Sequence, residues 1–455
     1  MNVLITNSQE IQAYTILGCV RSEASKVVIT TGGDSVPIGG NFRGLAFYSR
    51  FVDKRYTVPS FSEDWFSGRI RPENTPLEEA YVRRIEQICE DEAIDVVFPS
   101  LDPEVYVFSK NKTRLLGQGV QAIVPDYDVL LTPMDKALTI KAAQRVGFPC
   151  PKTYFPSNPS EVEEIACRSN PPWVIKPRLS AHGKHMKYAD NPAQLEATFA
   201  ELHRFQAAPI VQEYVQGASR RNFYITVDQE SEIISVLSPE VVRTHVTGLH
   251  VSSMTVVSSS TGPFIEEIRA LVRHLGLSGG FTVQTKVDPN DGLPKLMEIN
   301  ARFGQHLWYR TELGVNEPMI CLQLARGETP SGNLEFPDDV MMLDPYHDFF
   351  FLYTNAFSAF KRLMLPGSQS ADEPGPAHEH QSLMDILRSY RTDYFNSRRK
   401  IMCPEVRYIL NDPYPCLRVF LNMFIRTTGG ILRRTLSALR GTLQGWTAVR
   451  KNATR

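Results

Sequence analysis

The sequence is short of the features that hold secreted or zinc-bound domains together. Its seven cysteines (19, 89, 150, 167, 321, 403 and 416) are odd in number, scattered and without CxxC spacing. Such a pattern supports neither a disulfide framework nor a zinc site, and a reducing, cytoplasmic setting is the expectation. No apolar run is long enough to cross a bilayer as a helix. The start, MNVLITNSQE, lacks the basic residues and the apolar stretch of a secretory signal. GxGxxG is also missing after the first strand, where NSQE stands instead, so a dinucleotide site there has little support. Charge of one sign is not in surplus either, with 49 Lys and Arg against 50 Asp and Glu, a balance that by itself says nothing about partners; no nucleic-acid partner is expected.

The charge is nevertheless uneven. Residues 381–455 hold 14 Lys or Arg and 4 Asp or Glu, leaving 35 basic and 46 acidic residues ahead of them. An acidic body with a basic tail hints at an anionic surface as partner. In the tail, Leu417, Phe420, Leu421, Phe424 and Ile425 share one helical face, and Leu432, Leu436 and Leu439 share another beyond Gly429 and Gly430. A basic amphipathic helix of this kind lies on an anionic membrane, packs on the body or joins two copies as a homodimer, and the three remain open. Residues 366–382, PGSQSADEPGPAHEHQS, read as a linker. A length of 455 residues suggests about three domains.

The first 125 residues alternate strands and helices. MNVLIT is a buried-type strand, NSQEIQAYTILGCVRSEA has helical spacing of Ile11, Tyr14, Ile16 and Leu17, and SKVVITTG and RFVDKRYTVP are further strands. PLEEAYVRRIEQICEDEA places Leu77, Tyr81, Ile85 and Ile88 on one helical stripe. With IDVVFPS and VQAIVP the pattern predicts a small parallel α/β, Rossmann-like domain. The SLDPE loop (100–104) reads as a polar turn, with a place on a substrate crevice as the alternative.

The richest stretch is FTVQTKVDPNDGLPKLMEINARFG (281–304), two alternating runs around a turn, which predicts a β-hairpin. Strict alternation puts Leu296, Glu298 and Asn300 on one face and Lys295, Met297 and Ile299 on the other. Gln284 in the partner strand brings a third oxygen toward Glu298 and Asn300. Mg2+ takes such oxygens and completes its shell with water and phosphate, whereas a solvated strand face is the plain alternative. Arg302 follows, a planar cation suited to phosphate or carboxylate.

Upstream, Asp135 opens a helix, and Lys136 sits at its positive end, where a cation invites an anionic partner. Lys176 ends the apolar strand PWVIKP. The loop RLSAHGKH, with His182 and Gly183, follows as a flap over phosphates or as a basic turn. A helix carrying Leu195, Phe199, Leu202 and Phe205 leads to APIVQEYVQG. There the extended Glu213, Tyr214 and Val215 offer backbone groups to a base in an apolar slot. Further strands follow, including THVTGLHVSSMTVVSS with His245 and His250, and then helices at IEEIRALVRHLGLSG and EPMICLQLARGE.

In this order, MDK (134–136), VIKP (174–177), RLSAHGK, IVQEYVQG (210–217), FTVQ (281–284) and MEINARFG (297–304) resemble the ATP-grasp superfamily. The likeness is greatest to the branch of the carbamoyl phosphate synthase large subunit and the carboxylate–amine ligases, and it covers about residues 126–328. It implies an α/β (α+β) architecture. A pre-ATP-grasp domain would span 1–125, a two-lobed ATP-grasp domain with its hinge near 209–215 would span 126–328, and a helical basic extension 329–455. It implies ATP and Mg2+, or Mn2+, as cofactors. Lys136 and Lys176 would hold the nucleotide phosphates under a flap containing His182 and Gly183, with His250 near a phosphate. Glu213, Tyr214 and Val215 would hold the base, Gln284, Glu298 and Asn300 the metal, and Arg302 the transferring phosphoryl group. The family's ribose-binding acid is absent from GASRRNFYI, where Asn222 or Tyr224 would substitute.

The activity so implied is the ATP-dependent joining of a small carboxylate, through an acyl phosphate, to an amine. A non-catalytic ATP-binding scaffold and a carboxyphosphate-forming carboxylase are the alternatives. No AMKM-like biotin-carrier run is present, and the length leaves room for one ATP-grasp copy. A cytoplasmic protein, peripheral at a membrane through its tail, is expected.

Overall fold

A computed structural model describes residues 1–32, 44–61, 70–180, 185–217, 219–244, 251–256, 264–304, 307–332, 336–337, 339–345, 348, 352, 383–403, 411–415 and 417. The expected flap residues His182 and Gly183, together with His245, His250, the linker at 366–382 and the tail faces beyond Leu417, lie outside the described residues. Among the described residues no helix is long and apolar enough to cross a membrane.

The N-terminal sheet is parallel. Strands β1 (Asn2–Ile5), β2 (Lys26–Gly32), β3 (Lys54–Val58), β4 (Val96–Phe98) and β5 (Gln121–Ala122) lie in the order β3-β2-β1-β4-β5. The near-continuous apolar runs of β1 and β4 are buried because helices cover both faces. Helix α1 (Ile11–Val20) follows β1, and a short α2 (Gly44–Tyr48) follows β2. Helix α3 (Pro76–Glu92) opens on a capping box between Thr75 and Glu78. Tyr81, Ile85 and Ile88 are buried on its inner stripe, but Leu77 is 42% exposed, since the first turn overhangs the core edge. SLDPE is not a plain turn: α4 (Asp102–Lys110) begins at Asp102 and is followed by α5 (Lys112–Leu116).

Helices α6 (Tyr127–Met134) and α7 (Lys136–Arg145) lead into a four-stranded antiparallel sheet. It comprises β6 (Thr153–Tyr154), β7 (Trp173–Lys176), β8 (Lys187–Ala189) and β9 (Ile210–Glu213) in the order β6-β9-β7-β8. Trp173 is fully buried against Leu195, Phe199 and Leu202 of α9 (Pro192–Phe205) and against Ile165 of α8 (Ser160–Arg168). Phe205, expected on the same stripe, is 42% exposed at the end of α9 and meets the His185 ring at 4.3 Å.

The largest sheet has nine strands. It contains β10 (Arg220–Arg221), β11 (Phe223–Val227), β12 (Ile233–Leu237), β13 (Pro239–Thr244), β14 (Val251–Val256), β15 (Gly279–Val287) and β16 (Pro294–Asn300). Its last two strands, β17 (Val340–Leu343) and β18 (Arg399–Met402), come from the region expected to be a helical extension. Helix α10 (Ile265–Leu275) ends at Gly276, which takes φ 63°, the left-handed cap that favours glycine. Helices α11 (Leu307–Glu312) and α12 (Glu317–Ala325) pack on α1, and α13 (Leu383–Phe395) covers the far end. There Arg243 of β13 bonds Asp348 through two nitrogens at 3.0 and 3.1 Å, pairs with Asp393 and stacks on Tyr390 at 4.2 Å. One apolar core runs from Leu4 and Val97 of the first sheet through Ile140 of α7 to Phe223, Val283 and Leu296 of the largest.

Candidate functional site

A cavity of about 320 Å³ lies where the three sheets meet. Its lining includes Lys136, Lys176, Glu213, Tyr214, Val215, Gln284, Glu298, Asn300 and Arg302. Every described residue among the expected site residues is therefore brought to one space.

The oxygen donors are set by the hairpin. Gln284 stands opposite Glu298 and Thr282 opposite Asn300 across β15 and β16. Asn300 Nδ2 donates to Glu298 Oε1 at 3.3 Å, so the carboxylate and the two amides are close neighbours. Beyond Gln284 the register slips: Thr285 pairs with Leu296, and Met297 is the extra residue of a β-bulge. Inserting one residue reverses the parity of the strand. Leu296 thus turns to the core with Ile299 rather than sharing a face with Glu298, which corrects the strict alternation. The bulge keeps an aliphatic side chain out of the oxygen set.

The cations come from other elements. Asp135 caps α7, accepting from Ala137 N at 2.8 Å, and holds Arg178 Nε at 2.9 Å. This anchors the start of α7, and Lys136 Nζ donates to Ser180 O at 2.9 Å and lies 3.9 Å from Glu298 Oε2. Lys176, at the end of β7, is 9% exposed and has no hydrogen bond or ion pair from its ammonium among the described residues. Burial, then the neighbouring Lys136, lowers its pKa from 10.5 to about 8. Two further cations that no sequence motif singles out line the cavity. Lys286, two residues past Gln284, lies 4.3 Å over the Tyr214 ring and donates to Val215 O. Burial, then Arg220, lowers its pKa from 10.5 to about 8 as well. Arg220 pairs with Lys286 across β10 and β15, and burial depresses its pKa against the opposing pull of Glu298. Lysines of a charged loop or a hairpin end carry no sequence mark that separates them from solvated ones. Lys176, Arg220 and Lys286 thus line one cavity with Lys136, which already pairs with Glu298, a cationic field that suits a polyanion.

This field has a measurable consequence. The folded state strains to keep Lys176 and Lys286 charged below about pH 8 and is relieved as they lose protons between pH 8 and 10.5. Melting of the ligand-free protein should therefore gain stability across that window relative to Lys176→Met. Polyphosphate affinity should fall through the same window, and parallel curves for the two proteins would refute the assignment.

Glu213 ends β9. Its carboxylate accepts from Tyr154 Oη at 2.9 Å and meets Lys152 Nζ at 2.9 Å, so the side chain is already engaged. Tyr214 N donates to Pro172 O at 3.0 Å, whereas Val215 N–H has no partner among the described residues. An unspent donor beside Val174, Met186 and Met297 suits the edge of a planar heterocycle. Asn222 and Tyr224, the expected ribose substitutes, are both buried and both line the cavity.

At the opposite end, Arg302 Nε donates to Asp102 Oδ2 at 2.9 Å. Burial works against the guanidinium charge, but Asp102, Glu298 and Glu10 more than offset it and raise its pKa. Asp102 therefore belongs to the cavity wall, against the expectation of a polar turn. The pairing spans 200 residues, and no local pattern announces it.

The profile of the family described as "ATP-grasp in the biosynthetic pathway with Ter operon" matches residues 226–344. The arginine-specific mitochondrial carbamoyl phosphate synthase large chain of Schizosaccharomyces pombe is 24% identical over 206 residues, 44% of this chain and 17% of that protein. The carbamoyl phosphate synthase large chain of Thermus thermophilus is 24% identical over 248 residues, 50% of this chain and 24% of that one. The chain thus spans a quarter or less of these relatives. Biotin carboxylase from Campylobacter jejuni superposes with a TM-score of 0.59 at 14% identity, over 75% of this chain and 74% of that one. N5-carboxyaminoimidazole synthetase from Staphylococcus aureus, complexed with ADP, gives 0.53 at 12% identity over 72% and 78%. At such identities the structural likeness is one of fold. The fold, the matched profile and the related sequences all support an ATP-grasp superfamily member.

Proposed function

We propose that the protein is an ATP-dependent ligase that activates a small carboxylate as an acyl phosphate and couples it to an amine. The observation that carries this reading is the single cavity in which the oxygens of Gln284, Glu298 and Asn300 face Lys136, Lys176 and Arg302. Phosphoryl transfer asks mainly for positioning and neutralisation of charge, which such a set supplies. The donor set fits Mg2+, or Mn2+ in its place. One carboxylate and two amide oxygens suit a hard cation that shares phosphate oxygens, and no group of three His, Cys, Asp or Glu suited to a closed cage occurs among the described residues. When bound there, the ion would polarise the phosphates and offset their charge.

In the reaction so proposed, Val215 N–H and the hinge hold the base, and Lys136 and Lys176 hold the phosphates. A carboxylate oxygen of the substrate attacks the γ-phosphorus, and the bond from that phosphorus to the β–γ bridging oxygen breaks. ADP leaves, and an acyl phosphate remains beside Arg302. The amine lone pair then forms the C–N bond, the amine nitrogen loses a proton, and phosphate departs. Residues 1–125, 126–328 and 329–455 are proposed as the pre-ATP-grasp domain, the ATP-grasp domain and the extension.

The test is ADP release with Mg2+ and ATP over a panel of carboxylates, with and without amines. Carboxylate-dependent release that yields an amide supports the ligase. Release that depends on bicarbonate alone would replace it by a carboxyphosphate-forming enzyme, and tight ATP binding without turnover by a scaffold.

A further inference from the structure

We propose that the Arg302 end of the cavity is a subsite for an α-amino acid, its ammonium group accepted by Gln12 Oε1 and Asp102 Oδ1 and its carboxylate lying toward Arg302. The inference rests on the ligase reading above, whose first substrate it specifies.

The argument begins with the first sheet. Its order β3-β2-β1-β4-β5 reverses direction between β1 and β4, so the chain leaves these neighbouring strands on opposite sides. A crevice opens outside the carboxyl ends of strands at such a point. Gln12, in the first turn of α1 after β1, and Asp102, the first residue of α4 after β4, stand on its two sides and both line the cavity.

Gln12 is 5% exposed, and its Oε1 has no hydrogen-bond partner among the described residues. A buried amide oxygen without a donor is costly, and ligand sites are where such groups persist. Asp102 is half engaged: Oδ2 takes Arg302 Nε at 2.9 Å, while Oδ1 has no partner among the described residues. Two acceptors therefore line the same cavity as one planar cation. A ligand that satisfies all three carries N–H donors and a carboxylate in one small molecule. A simple carboxylic acid would answer Arg302 and leave both acceptors facing its aliphatic chain. The Glu10 charge felt at Arg302 adds to the preference for a cationic group at this wall.

The experiment measures ADP release from MgATP by the full chain, with hydroxylamine to trap the acyl phosphate. The probes are the common L-amino acids, each beside its des-amino carboxylic acid. At least one amino acid should exceed its des-amino partner by about 100-fold in kcat/KM, because a site built to hydrogen-bond a group rejects the analogue lacking it. Gln12→Met should raise the KM for that amino acid about 10-fold while the KM for ATP stays within about two-fold, a split that general damage to the fold does not produce. Gln12→Glu, which keeps an acceptor there, should hold that KM at or below the wild-type value. Equal turnover of des-amino acids, an unchanged KM in Gln12→Met, or ATP binding by calorimetry without turnover of any amino acid would each overturn the proposal. Absence of ATP binding would instead remove the ligase reading itself.

Discussion

Replacing Glu298 by alanine should lower turnover on the order of 10³-fold, as when a fixed charge on a phosphoryl-transfer centre is removed. Glu298 is the carboxylate of the oxygen set, opposite Gln284 in the hairpin and within hydrogen-bond reach of Asn300. Its side chain is 34% exposed and its contact with Lys136 is long at 3.9 Å, so the fold should lose little. The melting temperature should therefore stay close to that of the wild type. Metal-free ATP should bind the variant at least as tightly, because one negative charge leaves a cavity crowded with Lys136, Lys176 and Arg220. Turnover assays, a thermal melt and calorimetry in the presence of a chelator check the three parts separately. A fully active Glu298→Ala protein would sink the metal assignment, and weaker metal-free binding would show that the carboxylate organises the cations rather than opposing them.

The largest effect on stability should come from a pair far less visible in function. Arg310 of α11 and Glu317 of α12 are 1% and 3% exposed, with Nη1 2.6 Å from Oε1. Arg310 Nη2 also donates to Thr226 Oγ1 at 2.8 Å, which in turn lies 3.2 Å from Glu317 Oε1. The pair ties two helices to β11 beneath Gly280, where a Cβ would come within 2.1 Å of Glu317 Oε1. Arg310→Ala leaves a buried carboxylate without its cation and should cost about 3–5 kcal/mol. Burial already raises the Glu317 pKa above 4.5, with Arg310 and Thr226 pulling the other way. Without Arg310 the folded state holds a proton on Glu317 more firmly than the unfolded chain does. The deficit should accordingly grow as pH rises above the unfolded carboxylate range and shrink as pH falls toward it. Urea unfolding at pH 5 and pH 7.5 measures both, and Arg310→Met with Glu317→Leu should recover much of the loss. A cost under about 1 kcal/mol for Arg310→Ala would show that water, not Arg310, neutralises Glu317.

The parallel first sheet, the hairpin, and the places of Lys136, Lys176, Glu213, Glu298 and Arg302 on one cavity were legible in the sequence. Each depends on local physics. Alternation with a Pro/Asp/Asn/Gly turn makes a hairpin, a buried-type run ending in lysine makes a strand with a cation at its mouth, and a capping aspartate sets where α7 begins. The ordered motifs then supplied the fold.

What remained for the tertiary structure is whatever depends on distant residues or on a slip of register. The bulge at Met297 reverses the face of Leu296, yet a one-residue slip leaves no mark in composition. Asp102 joins the site through Arg302, 200 residues away, and Gln12 through the order of strands in a sheet. Arg220 and Lys286 look like ordinary surface charges until β10 and β15 pair. The two strands beyond residue 328 form only because an edge of the largest sheet is there to accept them. The sequence by itself determined which local elements form and which chemistry they carry, because propensity and alternation act over a few residues. Only the tertiary structure decided which charges share the cavity and which acceptors in it stand unspent, because burial and long-range pairing belong to the packed chain.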